Sequence, residues 1–145
     1  MNTLTVRDWM TADPITARPG TNLATARSQM QRDEIRRLLV VDEDGRLIGL
    51  VTWGDVLEAW PSRFTSLEPF EIREMMARIL VDEIMATQVV IIDPDATISE
   101  AANLMFEHRI GALPVVDDDR VVGILTSSDL LQGLVRVLAE RESLG

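Results

Sequence analysis

Two threonines and two aspartates recur at one spacing in this 145-residue chain, as Thr52-Trp-Gly-Asp55 and Thr126-Ser-Ser-Asp129. Each group follows a glycine and two apolar residues, Gly49-Leu-Val and Gly123-Ile-Leu. An ionised aspartate accepts two hydrogen bonds at once and so matches a vicinal diol, while a threonine hydroxyl nearby can reach a sugar or a phosphate. Helix N-termini close by favour anions, and the glycines let another backbone approach closely. The same residues also have a purely structural use. Thr-x-x-Asp at a strand-to-helix junction is a capping box, which stabilises a helix by about 1 kcal/mol. Duplication copies caps as readily as sites, so both readings stand at this point.

Other chemistries find few residues to work with. The chain has no cysteine and one histidine, which leaves no disulfide, no thiolate metal site and little for imidazole ligation or a histidine-based triad. No nucleophile with a base and no general acid pair emerges, so catalysis ranks last among the functional classes. The acidic runs Asp42-Glu43-Asp44 and Asp117-Asp118-Asp119 lack the spacing of a calcium loop and read as solvated turns. Trp9, Trp53 and Trp60 could stack on a base, although burial is the commoner use of an indole. A formal charge of −10 repels a phosphate backbone and places nucleic acid low among partners. No window holds the roughly twenty apolar residues of a membrane span, and the start MNTLTVRDW has no leader character. The expectation is a soluble, cytoplasmic protein that meets no membrane.

The elements that position the two motifs repeat as well. An offset of about 75 residues aligns Met10 with Met85, Pro19 with Pro94, Ala26 with Ala101 and Ile35 with Ile110, and after Gly45 an offset of about 74 aligns Gly49 with Gly123. Each unit begins with an extended piece, Ile15–Ala17 or Val89–Ile92, then a proline turn. A helix follows, started by Asn22 or Thr97, with an apolar face of Leu23, Ala26 and Met30 or Ile98, Ala101, Leu104 and Met105. Two strands come next, Leu38–Val41 with Leu47–Val51 and Leu113–Val116 with Val121–Leu125, joined by the acidic turns. A last helix starts just past each threonine. The boundaries read as 1–59 for the first unit, 60–80 for a helical linker and 81–141 for the second. Within the linker, 68–80 is expected to be helical, with Pro69 in the first turn and apolar residues along one side. That side either covers the protein's own core or forms a dimer contact.

Met10-Thr11, Leu39-Val-Val-Asp42, Gly49 to Asp55, Leu113-Pro-Val-Val-Asp117 and Gly123 to Asp129 fall in an order that resembles a tandem pair of cystathionine-beta-synthase (CBS) domains, or Bateman module, over nearly the whole chain. The resemblance implies an α/β (α+β) fold of two β-α-β-β-α repeats packed through their sheets as a pseudo-two-fold pair. It implies a non-catalytic regulatory module with clefts for an adenosine-containing ligand: AMP, ADP, ATP, S-adenosylmethionine or a dinucleotide, with magnesium as an optional companion. Carried onto this sequence, it gives Asp55 and Asp129 the ribose hydroxyls and gives Thr52 and Thr126 the sugar or phosphate edge. Leu50 and Ile124, with Ile15, Thr16 and Val90, would line the adenine slot, and Pro114 belongs to the same nucleotide-binding set. His108 and Arg109 look like a basic step that meets phosphates; the first unit offers Arg36 and Arg37 instead, shifted along the chain.

Two departures predict unequal clefts. Leu39 stands where the second unit has Pro114, and Asp33-Glu34 stand where it has His108-Arg109. The resemblance implies that the basic step of one unit serves the cleft of the other, so the expected site is the cleft around Asp55, with His108 and Arg109 as phosphate partners. The competing expectation is a ligand-free dimerisation or protein-interaction module in which the threonines and aspartates only cap helices. Either way a homodimer is expected, and a regulator without an attached enzyme would either act on a separate protein target or serve as a reservoir.

Overall fold

The computed structural model describes residues 4–144; the first three residues of the MNTLTVRDW stretch, and Gly145, lie outside the described residues. Helices α1 (Val6–Trp9), α2 (Leu23–Arg32), α3 (Trp53–Ala59), α4 (Pro69–Met76), α5 (Val81–Ile84), α6 (Ile98–His108) and α7 (Ser127–Leu144) accompany six strands. The strands are β1 (Thr11–Ala12), β2 (Thr16–Ala17), β3 (Arg37–Val41), β4 (Leu47–Thr52), β5 (Ala112–Asp117) and β6 (Arg120–Thr126). They form two three-stranded sheets, β2-β3-β4 and β1-β6-β5. Each sheet belongs to its own compact unit: one is Ile15–Val89, the other combines the chain through Pro14 with the chain from Val90 onward.

In the Asp55 unit, β2 runs parallel to β3, and β3 runs antiparallel to β4. Asn22 caps α2 as the sequence predicts, its Oδ1 accepting the Thr25 N–H at 2.8 Å. The 3.6-residue period of α2 then buries Leu23, Ala26 and Met30 against Leu38, Val40 and Val51. Side chains alternate along a strand, so Leu39, Leu50, Thr52 and Thr16 take the opposite face of the sheet.

The linker is helical over a shorter span than expected. Pro69 does occupy the first turn of α4, but the helix ends at Met76. The next residues are claimed by the start of α2: Ile79 O accepts the Leu23 N–H at 2.7 Å, and Val81 N–H donates to Thr21 O at 2.8 Å. Met76 is buried in the unit's core and Ile72 packs on it, while Phe70 and Met75 remain exposed.

In the Asp129 unit, β5 and β6 form a hairpin and β1 adds antiparallel to β6. Thr97 caps α6 by accepting the Glu100 N–H at 3.1 Å, and Ala101 and Met105 reach Leu113, Val115 and Leu125. The expected strand Val89–Ile92 reduces to one parallel bridge, Ile92 with Val115. It is held by Ile92 N–H to Pro114 O and Val116 N–H to Ile92 O, both 3.0 Å.

The repeat as written along the chain differs from the repeat as assembled. The segment α1-Met10-Thr11 opens the first repeat in sequence yet pairs with β6 of the second, Thr11 opposite Ile124. Its counterpart α5-Met85-Ala86 opens the second repeat in sequence yet pairs with β4 of the first, Ala86 opposite Leu50. The doubled glycines admit these segments. A Cβ on Gly49 would lie 2.3 Å from Met85 Sδ, and one on Gly123 would lie 2.5 Å from Met10 Sδ and 2.9 Å from Thr11 O.

Candidate functional site

Both Thr-x-x-Asp motifs are complete capping boxes. Thr52 N–H donates to Asp55 Oδ2 at 2.8 Å, and Asp55 N–H donates to Thr52 Oγ1 at 3.1 Å. Thr126 and Asp129 repeat this at 2.8 and 3.2 Å. All four residues are half-buried. A carboxylate has about four lone-pair positions, so a cap uses one and leaves acceptor capacity for another partner. The two copies differ in that remainder. Asp129 Oδ1 accepts the Thr11 hydroxyl at 3.3 Å, whereas Asp55 Oδ1 meets no donor among the described residues.

Around Asp55, strand register gathers Thr16, Leu50 and Thr52 of the residues that the sequence singled out. Thr16 stands opposite Leu39 and Leu39 opposite Leu50, a row across one sheet face. Thr52 lies two residues beyond Leu50 on that face, and Arg37 stands directly opposite Thr52. Ile15, 39% exposed, stands one residue before the row. This face therefore combines the buried Leu39 and half-buried Leu50 with a hydroxyl, a cation and, at its end, a carboxylate with an open oxygen.

The Asp129 unit repeats the row with different chemistry. Pro114 is buried and stands opposite Ile124, and Ile124 stands opposite Thr11. Ala112 stands opposite Thr126, where the Asp55 unit has Arg37. Val90 is half-buried and, among the described residues, pairs with no strand.

His108 and Arg109 lie elsewhere in the Asp129 unit, exposed at the end of α6. Arg109 is the C-cap residue, with φ 53° and ψ 47°, and Ile110 N–H closes onto Met105 O at 3.0 Å. Glu34 holds the same left-handed conformation, φ 54°, after α2. The doublet thus does a helix-ending job in both repeats. Beside the first of these caps, Met30, Gln31, Glu34, Ile35, Arg36 and Trp53 line a hollow of about 230 Å³, so Trp53 borders open space. Trp60 instead lies under Arg27, whose guanidinium carbon is 4.3 Å from the ring centroid. Trp9 packs flat against Gly133 of α7.

The acidic turns are local structure. Asp42 Oδ1 accepts the N–H groups of Asp44 and Arg46 at 2.9 and 3.0 Å. Chiefly through the Arg46 N–H, and against the opposing effect of desolvation, these bonds hold the Asp42 carboxyl below its ordinary 3.8. Asp118 and Asp119 both take positive φ, 51° and 66°, in the two-residue turn between β5 and β6.

Three residues gain importance that the sequence reading did not give them. Thr11 and Ala86 occupy matched positions, visible as Met10-Thr11 and Met85-Ala86, but nothing in the repeat indicates that each segment docks on the other repeat's strand. Arg37 was noted only as a shifted basic residue; its strand parity with Leu39 was the available signal for its direction.

Residues 6–62 and 81–136 match the CBS domain family. The chain is similar to the uncharacterized protein MJ1225 of Methanocaldococcus jannaschii, 35% identical over 88% of this chain and 46% of the relative, so it spans about half that relative's length. It is similar in structure to AcuB of Vibrio cholerae, with a TM-score of 0.82, 32% identity and coverage of 98% of both chains. It also resembles the CBS domain pair of protein MJ0100, solved with 5′-methylthioadenosine and S-adenosyl-L-methionine, with a TM-score of 0.74, 28% identity and coverage of 97% and 99%. Two family matches over two sheet-and-helix repeats place this chain in the CBS domain family, as a tandem pair.

Proposed function

We propose that this chain is a non-catalytic sensor of an adenosine-containing small molecule, and that the Asp55 face receives it. The observation that carries the reading is the company Asp55 keeps on one sheet: an open carboxylate oxygen, the apolar row of Leu39 and Leu50 with Thr16, and Arg37 opposite Thr52. A diol needs the first, an adenine ring the second and a phosphate the third. Arg37 supplies, within one unit, the cation that the sequence reading sought from His108 and Arg109. The adenosyl ligands of MJ0100 support the ligand class, and Arg37 favours a phosphate-bearing member, AMP, ADP or ATP, over S-adenosylmethionine. Magnesium enters only as the companion of a polyphosphate chain.

Titration calorimetry with AMP, ATP and S-adenosylmethionine tests this reading. The AMP affinity should fall about tenfold in Arg37→Ala, the scale of one charge-assisted hydrogen bond, with S-adenosylmethionine little affected. Equal loss for both ligands would contradict the phosphate role.

A second reading, a self-associating module that needs no ligand, is favoured by α7. Its Leu131, Leu134, Val135 and Leu138 are 63, 48, 65 and 48% exposed and follow the spacing of one helix face. Homodimerisation through this face is compatible with sensing, and Leu134→Asp with sedimentation tests it: the variant should be a monomer at concentrations where the parent is a dimer.

A further inference from the structure

The geometry points to residues 11 and 86, matched positions of the repeat, as the pair that decides which aspartate is open to a vicinal diol; this rests on the reading of the Asp55 face as a ligand site. Thr11 stands opposite Ile124 and Ala86 opposite Leu50, each beside the strand residue two before a motif threonine. In the Asp129 unit, the Thr11 hydroxyl lies 3.3 Å from Asp129 Oδ1, while Oδ2 accepts the Thr126 N–H at 2.8 Å. Both oxygens are therefore engaged before any ligand arrives. The Asp55 unit repeats the Oδ2 bond at 2.8 Å, but Ala86 has no hydroxyl and the second bond is missing.

A diol presents two O–H donors, and binding it bidentately requires both oxygens of one carboxylate to be approachable. At Asp129 the Thr11 hydroxyl is the donor to Oδ1, so a ligand hydroxyl must displace or share that bond. A separation of 3.3 Å is long for an O–H···O bond, so Thr11 competes for the position without locking it. At Asp55 the Thr52 N–H likewise occupies one lone pair of Oδ2, but among the described residues no hydroxyl competes for Oδ1. At the aspartates themselves, the difference thus lies in a hydroxyl on one docked segment and its absence on the other.

The test is calorimetric titration of AMP, ATP and S-adenosylmethionine into the parent protein, Ala86→Thr and Thr11→Ala, with thermal melting to verify each fold. Ala86 is exposed and its backbone is paired in a bridge, a setting that suits a β-branched residue; Ala86→Ser serves as the smaller hydroxyl-bearing variant. The parent is expected to bind at one site per chain. Ala86→Thr should weaken that site about tenfold, the scale of one lost hydrogen bond. The same substitution should narrow the preference for AMP over its 2′- and 3′-deoxy counterparts. Thr11→Ala should add a second site that Asp129→Asn removes. Unchanged affinity in Ala86→Thr, together with no second site in Thr11→Ala, overturns the inference while leaving the ligand site intact. Failure of the parent to bind any of the three compounds overturns the underlying reading itself.

Discussion

Arg109 and Glu34 adopt left-handed conformations, φ 53° and 54°, at matching helix ends, where glycine is the residue without steric penalty. Glycine at either position should raise unfolding stability by roughly 1 kcal/mol, read as a higher urea midpoint at unchanged slope. The two substitutions separate structure from binding. With Arg37 as the phosphate partner, Arg109→Gly should leave AMP affinity within about twofold, since an exposed cation contributes little; a larger loss would return Arg109 to the site. Asp42 gives a pH prediction of definite sign. Its carboxyl is held below 3.8 when folded, chiefly by the Arg46 N–H. Its contribution to stability is therefore full above the unfolded value and is lost as pH falls through the lower folded value. Asp42→Ala should lower the melting temperature at neutral pH, and the gap from the parent should close below the ordinary carboxylate range.

At the scale of elements, helix α7 contains Gly133, which helix propensity alone would replace profitably with alanine. Here the sign reverses. A Cβ at Gly133 would lie 2.3 Å from the Trp9 ring, so Gly133→Ala should destabilise by about 1–3 kcal/mol through overpacking. Gly123→Ala should behave alike, because its Cβ meets Met10 Sδ at 2.5 Å and the Thr11 carbonyl at 2.9 Å. Denaturant titration of both variants checks this; a gain in stability would show that the docked segments can shift aside. These contacts also mark how far the sequence could be read. Asn22, Thr97 and Pro69 announced helix starts because capping is local, and the apolar faces of α2 and α6 followed from period. The shortened α4 and the missing strand at Val89–Ile92 were decided by backbone partners far along the chain, Thr21 and Leu23 for one and Pro114 for the other, which no local pattern encodes.

At the scale of the molecule, the duplication was legible because the same residue types return in the same order, and two three-stranded sheets bear it out. The exchange of the leading segments was hidden, since a repeat in sequence does not say which copy of a strand a segment will join. In the proposed site, Thr16, Leu50, Thr52 and Asp55 are residues that the sequence already singled out, while Thr11 and Ala86 enter the proposal only through the docking of their segments. The central claim is that Asp55 does more than cap α3, and Asp55→Asn isolates it, because an amide oxygen can still accept the Thr52 N–H while the carboxylate is lost. The most direct measurement is calorimetric titration of AMP into the parent, Asp55→Asn and Asp129→Asn. The account predicts at least about tenfold weaker binding in Asp55→Asn, with melting preserved, and parent-like binding in Asp129→Asn. Parent-like binding in Asp55→Asn, or loss confined to Asp129→Asn, would contradict it.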